Sequence, residues 1–454
     1  MERFKLEENG SDVRKEIIGG VTTFLTMAYI IAVNGNILGD PGVGMPAAAV
    51  VTVTCLMAGL TTIFMGVYAN LPFALAPGMG LNAFFAYTVV IGMKVPWQVA
   101  LAAVFVEGII FIILSLTSVR EAVVNAIPTT LKLAVTAGIG LFIAFIGFVD
   151  AGIVISNDAT KVALGNFTRP TVLITVIGVI IIVVLSKKNV KGAMLWGIAA
   201  STILAWIFAI ISPQAAATYG IGTPKGIFKF ESIAPIAGKL DFSYLTDTSK
   251  ILEFLTIVLT FLFVDFFDTV GTLVGVASKV GLVDKNGNVK NAGRALLVDA
   301  VGTTVGAFLG TSTVTTFVES SAGFAEGART GLASVITGVL FLIAMFFSPL
   351  FVAIPSCATA PALIVVGFFM MENIVKIDFS DFTEGVPAFL TIALMPLTYS
   401  IGDGLTIGIL SYAVLNLANN IFTRDASKRK KVSIVIYILA VLFIAKLVIT
   451  GLNQ

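Results

Sequence analysis

Histidine is missing from this chain altogether. That removes the side chain that most often shuttles protons near neutral pH and most often binds transition metals, so any proton chemistry falls to carboxylates. Cysteine is nearly missing as well. Cys55 and Cys357 are the only two, each inside an apolar stretch, which excludes both a disulfide framework and a thiolate metal site. No cofactor and no bound metal are expected. Charge is scarce: Asp, Glu, Lys and Arg make up 12% of the 454 residues, against 57% hydrophobic ones, far outside the range of soluble domains. A nucleic-acid partner is not expected. The glycines of GVGM and APGMG also lack the strand-glycine-helix frame and the Lys-Ser/Thr of a phosphate loop.

What the chain has is a series of apolar runs, each about as long as the roughly 20 residues that cross a bilayer as helix. The first seven segments are 17–38, 46–68, 70–90, 98–117, 131–149, 170–186 and 193–212. A polar connector, 213–250, leads to segments eight to fourteen: 251–278, 294–309, 310–325, 329–348, 352–373, 385–399 and 402–421. The pattern predicts an all-α polytopic membrane protein with about 14 transmembrane segments, its lipid partner being the bilayer. A further apolar run, 432–450, either crosses or lies along the membrane face.

The polar start, MERFKLEENGSDVRKE, has no apolar stretch ending in a cleavage site, so the first segment is expected to stay in the protein. Lys and Arg gather on alternate connections, as at Arg14, Lys15, Lys187, Lys188, Lys191 and the SKRKK run. With basic loops inside, the N-terminus is cytoplasmic, 213–250 lies outside, and 422–454 starts as a cytoplasmic basic segment. An odd number of crossings per half inverts the second half against the first. Weak echoes agree: Thr23-Phe24-Leu25 recurs as Thr260-Phe261-Leu262, and Ala126-Ile127-Pro128 as Ala353-Ile354-Pro355.

Two segments cannot be continuous helices. The third reads LPFALAPGMGLNAFFAY, where Pro72 and Pro77 remove backbone donors and Gly78 and Gly80 loosen the chain. The tenth reads GTSTVTTFVESSAGFAEG, where the β-branched run from Thr311 to Val318 favours extended backbone. Each is expected to be a short extended piece leading into a half-helix, with Asn82 and Glu319 at the two starts. Non-helical backbone survives at membrane depth only where protein or water satisfies it, so matched breaks point to a central site.

Carboxylates mark the same region. Asp265 and Asp268 sit three residues apart on one helix face in the eighth segment, and each acid at the bilayer centre costs about 2.5–3.5 kcal/mol on insertion scales. Function justifies that cost better than packing does. Glu107 and Asp403 read as structural, and Trp97, Trp196 and Trp206 as interfacial anchors.

EIIGGVTTFLTMAYIIAVN, APGMGLNAFFAY, VDFFDTVGTLVGVASK and GTSTVTTFVESSAGFAEGARTGL together resemble the AzgA-type purine nucleobase permeases, over essentially the whole chain. That group is related to the xanthine and uracil permeases. The resemblance implies two inverted seven-span repeats, with 17–117 and 251–348 as a core domain and 118–212 and 349–421 as a gate domain. It implies proton-coupled uptake of a purine base, with guanine and hypoxanthine favoured over adenine. A homodimer is compatible with it.

Matched by motif, the substrate site comprises Gly80, Leu81, Asn82, Asp265, Asp268, Thr316, Phe317, Val318 and Glu319, with Asp265, Asp268 and Glu319 the proton-coupling acids. In the uracil and xanthine branches a His or Asp follows the eighth-segment acid at the fourth position. Here Thr272 stands there, so no proton path transfers directly. The remaining alternatives are an anion carrier of the same fold, a sodium-coupled nucleobase carrier, a channel and a membrane-embedded enzyme.

Overall fold

The computed structural model describes residues 2–116, 128–279, 291–423 and 429–452. Of the basic residues expected on the cytoplasmic side, Arg120, Lys285, Lys290, Arg424 and Lys428 lie outside the described residues, as does the Ala126-Ile127 part of one sequence echo. Segment 1 is Val13–Met27 and Tyr29–Leu38, with a break at Ala28. Segment 2 is Ala47–Phe64, segment 4 Trp97–Leu116, segment 5 Thr129–Ala151, segment 6 Pro170–Lys187 and segment 7 Ala193–Ile211. Segment 8 is Ile251–Lys279, segment 9 Ala292–Leu309, segment 11 Gly331–Ala344, segment 12 Ser356–Met371, segment 13 Phe382–Leu397 and segment 14 Ile401–Phe422. Segments 3 and 10 alone start as strands, β1 (Leu75–Pro77) and β4 (Val314–Thr316). Among the described residues, nine helices are long and apolar enough to cross a membrane.

The packing repeats itself when seven is added to each segment number. Segment 4 packs on 9 and segment 2 on 11; 4 on 8 and 1 on 11; 5 on 13 and 6 on 12; 6 on 7 and 13 on 14. Segments 3 and 10 pair with each other, as do 5 and 12. Segments 1–4 therefore pack mainly with 8–11, and 5–7 with 12–14. The contact of segments 5 and 12 depends on glycine. A Cβ added at Gly140 would meet the Gly367 carbonyl oxygen at 2.7 Å, and one at Gly367 would meet that of Gly140 at 2.4 Å. Without side chains there, the two backbones approach directly.

Large apolar side chains such as Ile180, Ile211, Phe389 and Ile421 are exposed, the outer face that hydrocarbon would cover. Polar groups inside are tied to backbone. Glu16, fully buried, accepts from Arg329 N, Thr330 N and Ala333 N at 2.8–3.1 Å. It thereby supplies acceptors for amides at the start of segment 11 that the helix itself cannot satisfy. On the far side of the sequence, Lys430 Nζ contacts Asp381 at 2.5 Å and Glu384 at 3.0 Å, latching the basic tail to the start of segment 13. The nearby ammonium holds the Asp381 carboxyl below its usual range. The helix Ile434–Leu452 then packs on segments 14 and 8.

Two features depart from the sequence expectation. A hairpin of β2 (Val154–Asn157) and β3 (Lys161–Leu164) follows segment 5, where a plain loop is expected. Asn157 Oδ1 accepts from Ala159 N and Thr160 N, and this side-chain turn folds the connection back. Trp206 donates its indole N–H to the Ala353 carbonyl at 3.0 Å, so it ties segment 7 to the entry of segment 12.

Candidate functional site

β1 and β4 meet as a two-stranded antiparallel pair, with Leu75 opposite Thr316 and Pro77 opposite Val314. The ladder continues on both sides, since Gly78 N donates to Thr313 O and Phe317 N to Ala74 O. Two strands leave their outer edges unpaired, which apolar surroundings do not tolerate. Two threonines satisfy them. Thr62 on segment 2 donates to Leu75 O at 3.0 Å and accepts from Leu75 N at 2.9 Å. Thr303 on segment 9 donates to Val314 O at 3.1 Å and accepts from Val314 N at 3.2 Å. The same residue type on segments seven apart caps equivalent strand edges, which is the inverted repeat expressed in hydrogen bonds.

Thr62→Val or Thr303→Val keeps the shape and orphans one buried N–H and one C=O. Each is expected to cost about 2–4 kcal/mol, read as a lowered thermal midpoint in detergent.

Glu319 takes the N-cap position of the helix Ser320–Ala325, as expected. One of its oxygens accepts from the Tyr29 hydroxyl at 2.6 Å. Asp268, half-buried on segment 8, lies within reach of the Thr315 side chain and close enough to Glu319 for their charges to interact. Phe317 is buried and Val318, beside it, is 51% exposed. Thr316 Oγ1 is buried with no hydrogen-bond partner among the described residues. Glu319, Asp268 and the β4 threonines thus converge where the strands cross.

The structure places the other expected residues differently. The helix after β1 begins at Met79, capped by Gly78, because Pro77 ends the strand and nothing delays helix formation beyond it. Asn82 therefore lies inside the first turn instead of at its start. It is fully buried, its amide oxygen accepting from Ser312 and its Nδ2 donating to Pro77 O at 3.4 Å. In this conformation its side chain clamps the crossing. Leu81 is buried, and a Cβ at Gly80 would strike Ile139 of segment 5 at 2.7 Å, so Gly80 is the thin point between segments 3 and 5. Asp265 is fully buried, with Asp299, Glu107 and Asp268 as its charged neighbours.

Tyr29, Thr62, Thr303 and Thr315 also stand at the strand crossing and are not among the residues expected there from the sequence. Tyr29 had a signal, as the one hydroxyl-bearing aromatic in the first segment. The threonines had none, since isolated Thr is ordinary in apolar helices. A separate cavity of about 410 Å³ near the N-terminus is lined by Arg3, Lys5, Tyr68, Asn291 and Arg294 and holds none of these residues.

A profile of the xanthine/uracil permeases, described as a permease family, matches residues 14–406. Guanine/hypoxanthine permease PbuG of Bacillus subtilis is 46% identical over 448 residues, covering 97% of this chain and 98% of its own. Adenine permease AdeQ of Escherichia coli is 40% identical over 446 residues, covering 98% and 95%. Among solved structures, the transmembrane domain of the cyanobacterial bicarbonate transporter BicA aligns with a TM-score of 0.65. That match is 16% identical and covers 87% of this chain and 97% of that domain, a likeness of fold alone. The apolar helices and the family match together make this a multi-pass membrane permease. The chain belongs to the xanthine/uracil permease family.

Proposed function

We propose that this chain imports purine nucleobases across the cytoplasmic membrane, drawn in by protons, with guanine and hypoxanthine favoured and adenine accepted. The observation that carries the reading is the convergence of Glu319 and Asp268 on the strand crossing, in a chain 40–46% identical over nearly its full length to permeases named for purines. A purine is flat, neutral and edged with donors and acceptors. Its site needs a slot and a few fixed polar groups.

Glu319 accepts from the ring N–H and, in guanine, the exocyclic amine. To do so it exchanges its bond from Tyr29 for one from substrate. The Thr316 hydroxyl pairs with a second edge, and Phe317 walls the slot. Asn82, Gly80 and Leu81 act one layer back, fixing the crossing that aims the acids. An oxopurine presents N1–H to a carboxylate, whereas adenine presents an acceptor there, which is the basis of the preference.

Segments 1–4 and 8–11 form the moving core in this reading, and 5–7 and 12–14 the gate, supported by the division of packing between the two sets. Fourteen crossings with the N-terminus inside fit the distribution of Lys and Arg. Substrate and proton bound together reduce the net charge at the crossing, which lets the loaded core move against the gate and alternate its access.

Uptake of labelled hypoxanthine into cells, competed with guanine, adenine, uracil and bicarbonate, tests the reading. Guanine should compete fully, adenine partly, and uracil and bicarbonate not at all. Bicarbonate competition would instead favour an anion carrier, the function named for BicA, although acids at the crossing repel anions. Uptake that follows a sodium gradient and ignores pH would replace the proton by sodium.

A further inference from the structure

Glu107 on segment 4 and Asp265 on segment 8 are both 0% exposed. No N–H or hydroxyl among the described residues donates to any of their four carboxyl oxygens; segments 4 and 8 pack on each other, and the two acids lie close enough for their carboxyl groups to interact. Two carboxylate oxygens cannot hydrogen-bond without a proton between them, and two bare charges in contact within an apolar bundle would be prohibitively costly. Neither acid has an ion pair with Lys or Arg among the described residues. Packing of segment 8 on segment 4 brings the two acids together, and segment 4 is held in turn by a close approach to segment 9. A Cβ at Gly108 would meet Thr304 Oγ1 at 2.5 Å and Thr304 N at 2.9 Å, so segment 4 lies directly on segment 9 beside Glu107.

Asp299 of segment 9 faces Asp265 within electrostatic reach and accepts from Thr269 at 3.0 Å. Asp268 is the remaining titratable group facing Asp265, one helical turn along segment 8 and towards the strand crossing. These acids form a chain: Glu319 and Asp268 at the crossing, then Asp265, then Glu107.

We infer that the Glu107–Asp265 pair is the seat of the coupling proton, a site separate from the substrate carboxylates and joined to them through Asp268. Segment 8 thereby divides its labour, with Asp268 turned to the substrate and Asp265 to the proton store. The step is a proton transfer only. A proton leaves the Asp268 carboxyl for the one carboxylate charge that the pair retains, so the pair passes from one shared proton to two and back, and the charge left on Asp268 marks the unloaded site. This rests on the proposed proton-coupled transport, which it deepens by naming Glu107.

The test uses the full chain, purified and reconstituted in liposomes. Glu107→Gln is expected to lower hypoxanthine accumulation under an imposed pH gradient by about tenfold or more, to simple equilibration, while hypoxanthine counterflow persists. Glu107→Asp, which keeps an acid, should restore accumulation. Independently of transport, the infrared carbonyl band of a buried carboxylic acid should be present in the wild type at neutral pH and lost or shifted in Glu107→Gln. Accumulation by Glu107→Gln equal to wild type, or an unchanged infrared band, overturns the inference. A wild type that carries no purine refutes the preceding reading instead, and the infrared result still decides whether the pair holds a proton.

Discussion

Replacing Glu319 by glutamine is expected to weaken hypoxanthine binding by about a hundredfold or more. The carboxylate offers two acceptor oxygens, one already bonded to Tyr29 at 2.6 Å. The amide offers one acceptor and turns an N–H₂ towards a substrate edge that is itself a donor. Loss of a charge-assisted hydrogen bond plus a donor–donor clash sums to about 3 kcal/mol or more, which is the stated factor. Tyr29→Phe is the informative control. It removes the hydroxyl that competes for Glu319, so its effect on binding should stay within about threefold, in contrast to the glutamine variant. Equilibrium binding to purified protein reads both. Near-wild-type affinity in Glu319→Gln would remove this residue from the site.

The second large effect is expected at Asp268. Asparagine there keeps a partner for the Thr315 hydroxyl and the shape of the side chain, but it cannot take up or release a proton. Exchange of internal for external purine should therefore continue at a reduced rate. Accumulation against a gradient, and its dependence on outside pH, should disappear. The sign follows from coupling. In the wild type, acidifying the outside raises uptake because the proton is co-substrate; in Asp268→Asn the profile should be flat over the same range. Counterflow and gradient-driven uptake measured on one liposome preparation separate the two. Uphill uptake by Asp268→Asn would assign the relay elsewhere.

The positions of the broken segments were legible because their cause is local. Pro72 and Pro77 lack the backbone donor a helix needs wherever the chain runs, and the β-branched run ending at Val318 prefers extended backbone in any context. Glu319 falls at its half-helix start for the same reason. Asn82 was misjudged by one short turn. The helix starts where the β1 ladder ends, at Pro77, and that ladder exists only once β1 pairs with β4, whose Val314 stands opposite Pro77 from 237 residues further along the chain. The hairpin after segment 5 was missed because its strands are four residues each, too short to display a period.

The two acids of VDFFDTVG show where sequence reasoning stops. Their spacing puts both on one face of a helix, and burial makes both costly, so they read as a pair with one role. The packed structure separates them. Asp268 turns to Thr315 and Glu319, and Asp265 to Glu107 and Asp299, because segment 8 is wedged between β4 and segments 4 and 9. Glu107, alone in its segment, reads as structural until its neighbour is known.

By itself the sequence determined that the chain lives in a membrane, that two of its segments break in matching places, and that Asp265 and Asp268 lie within a segment at a cost packing does not repay. Those properties depend on composition, chain length and local backbone preference, all of which are written residue by residue. Only the tertiary structure decided which acid faces which. Carboxylate partners come from segments far apart in the chain, and their meeting is fixed by close helix approaches such as Gly108 on Thr304 and by the strand crossing itself.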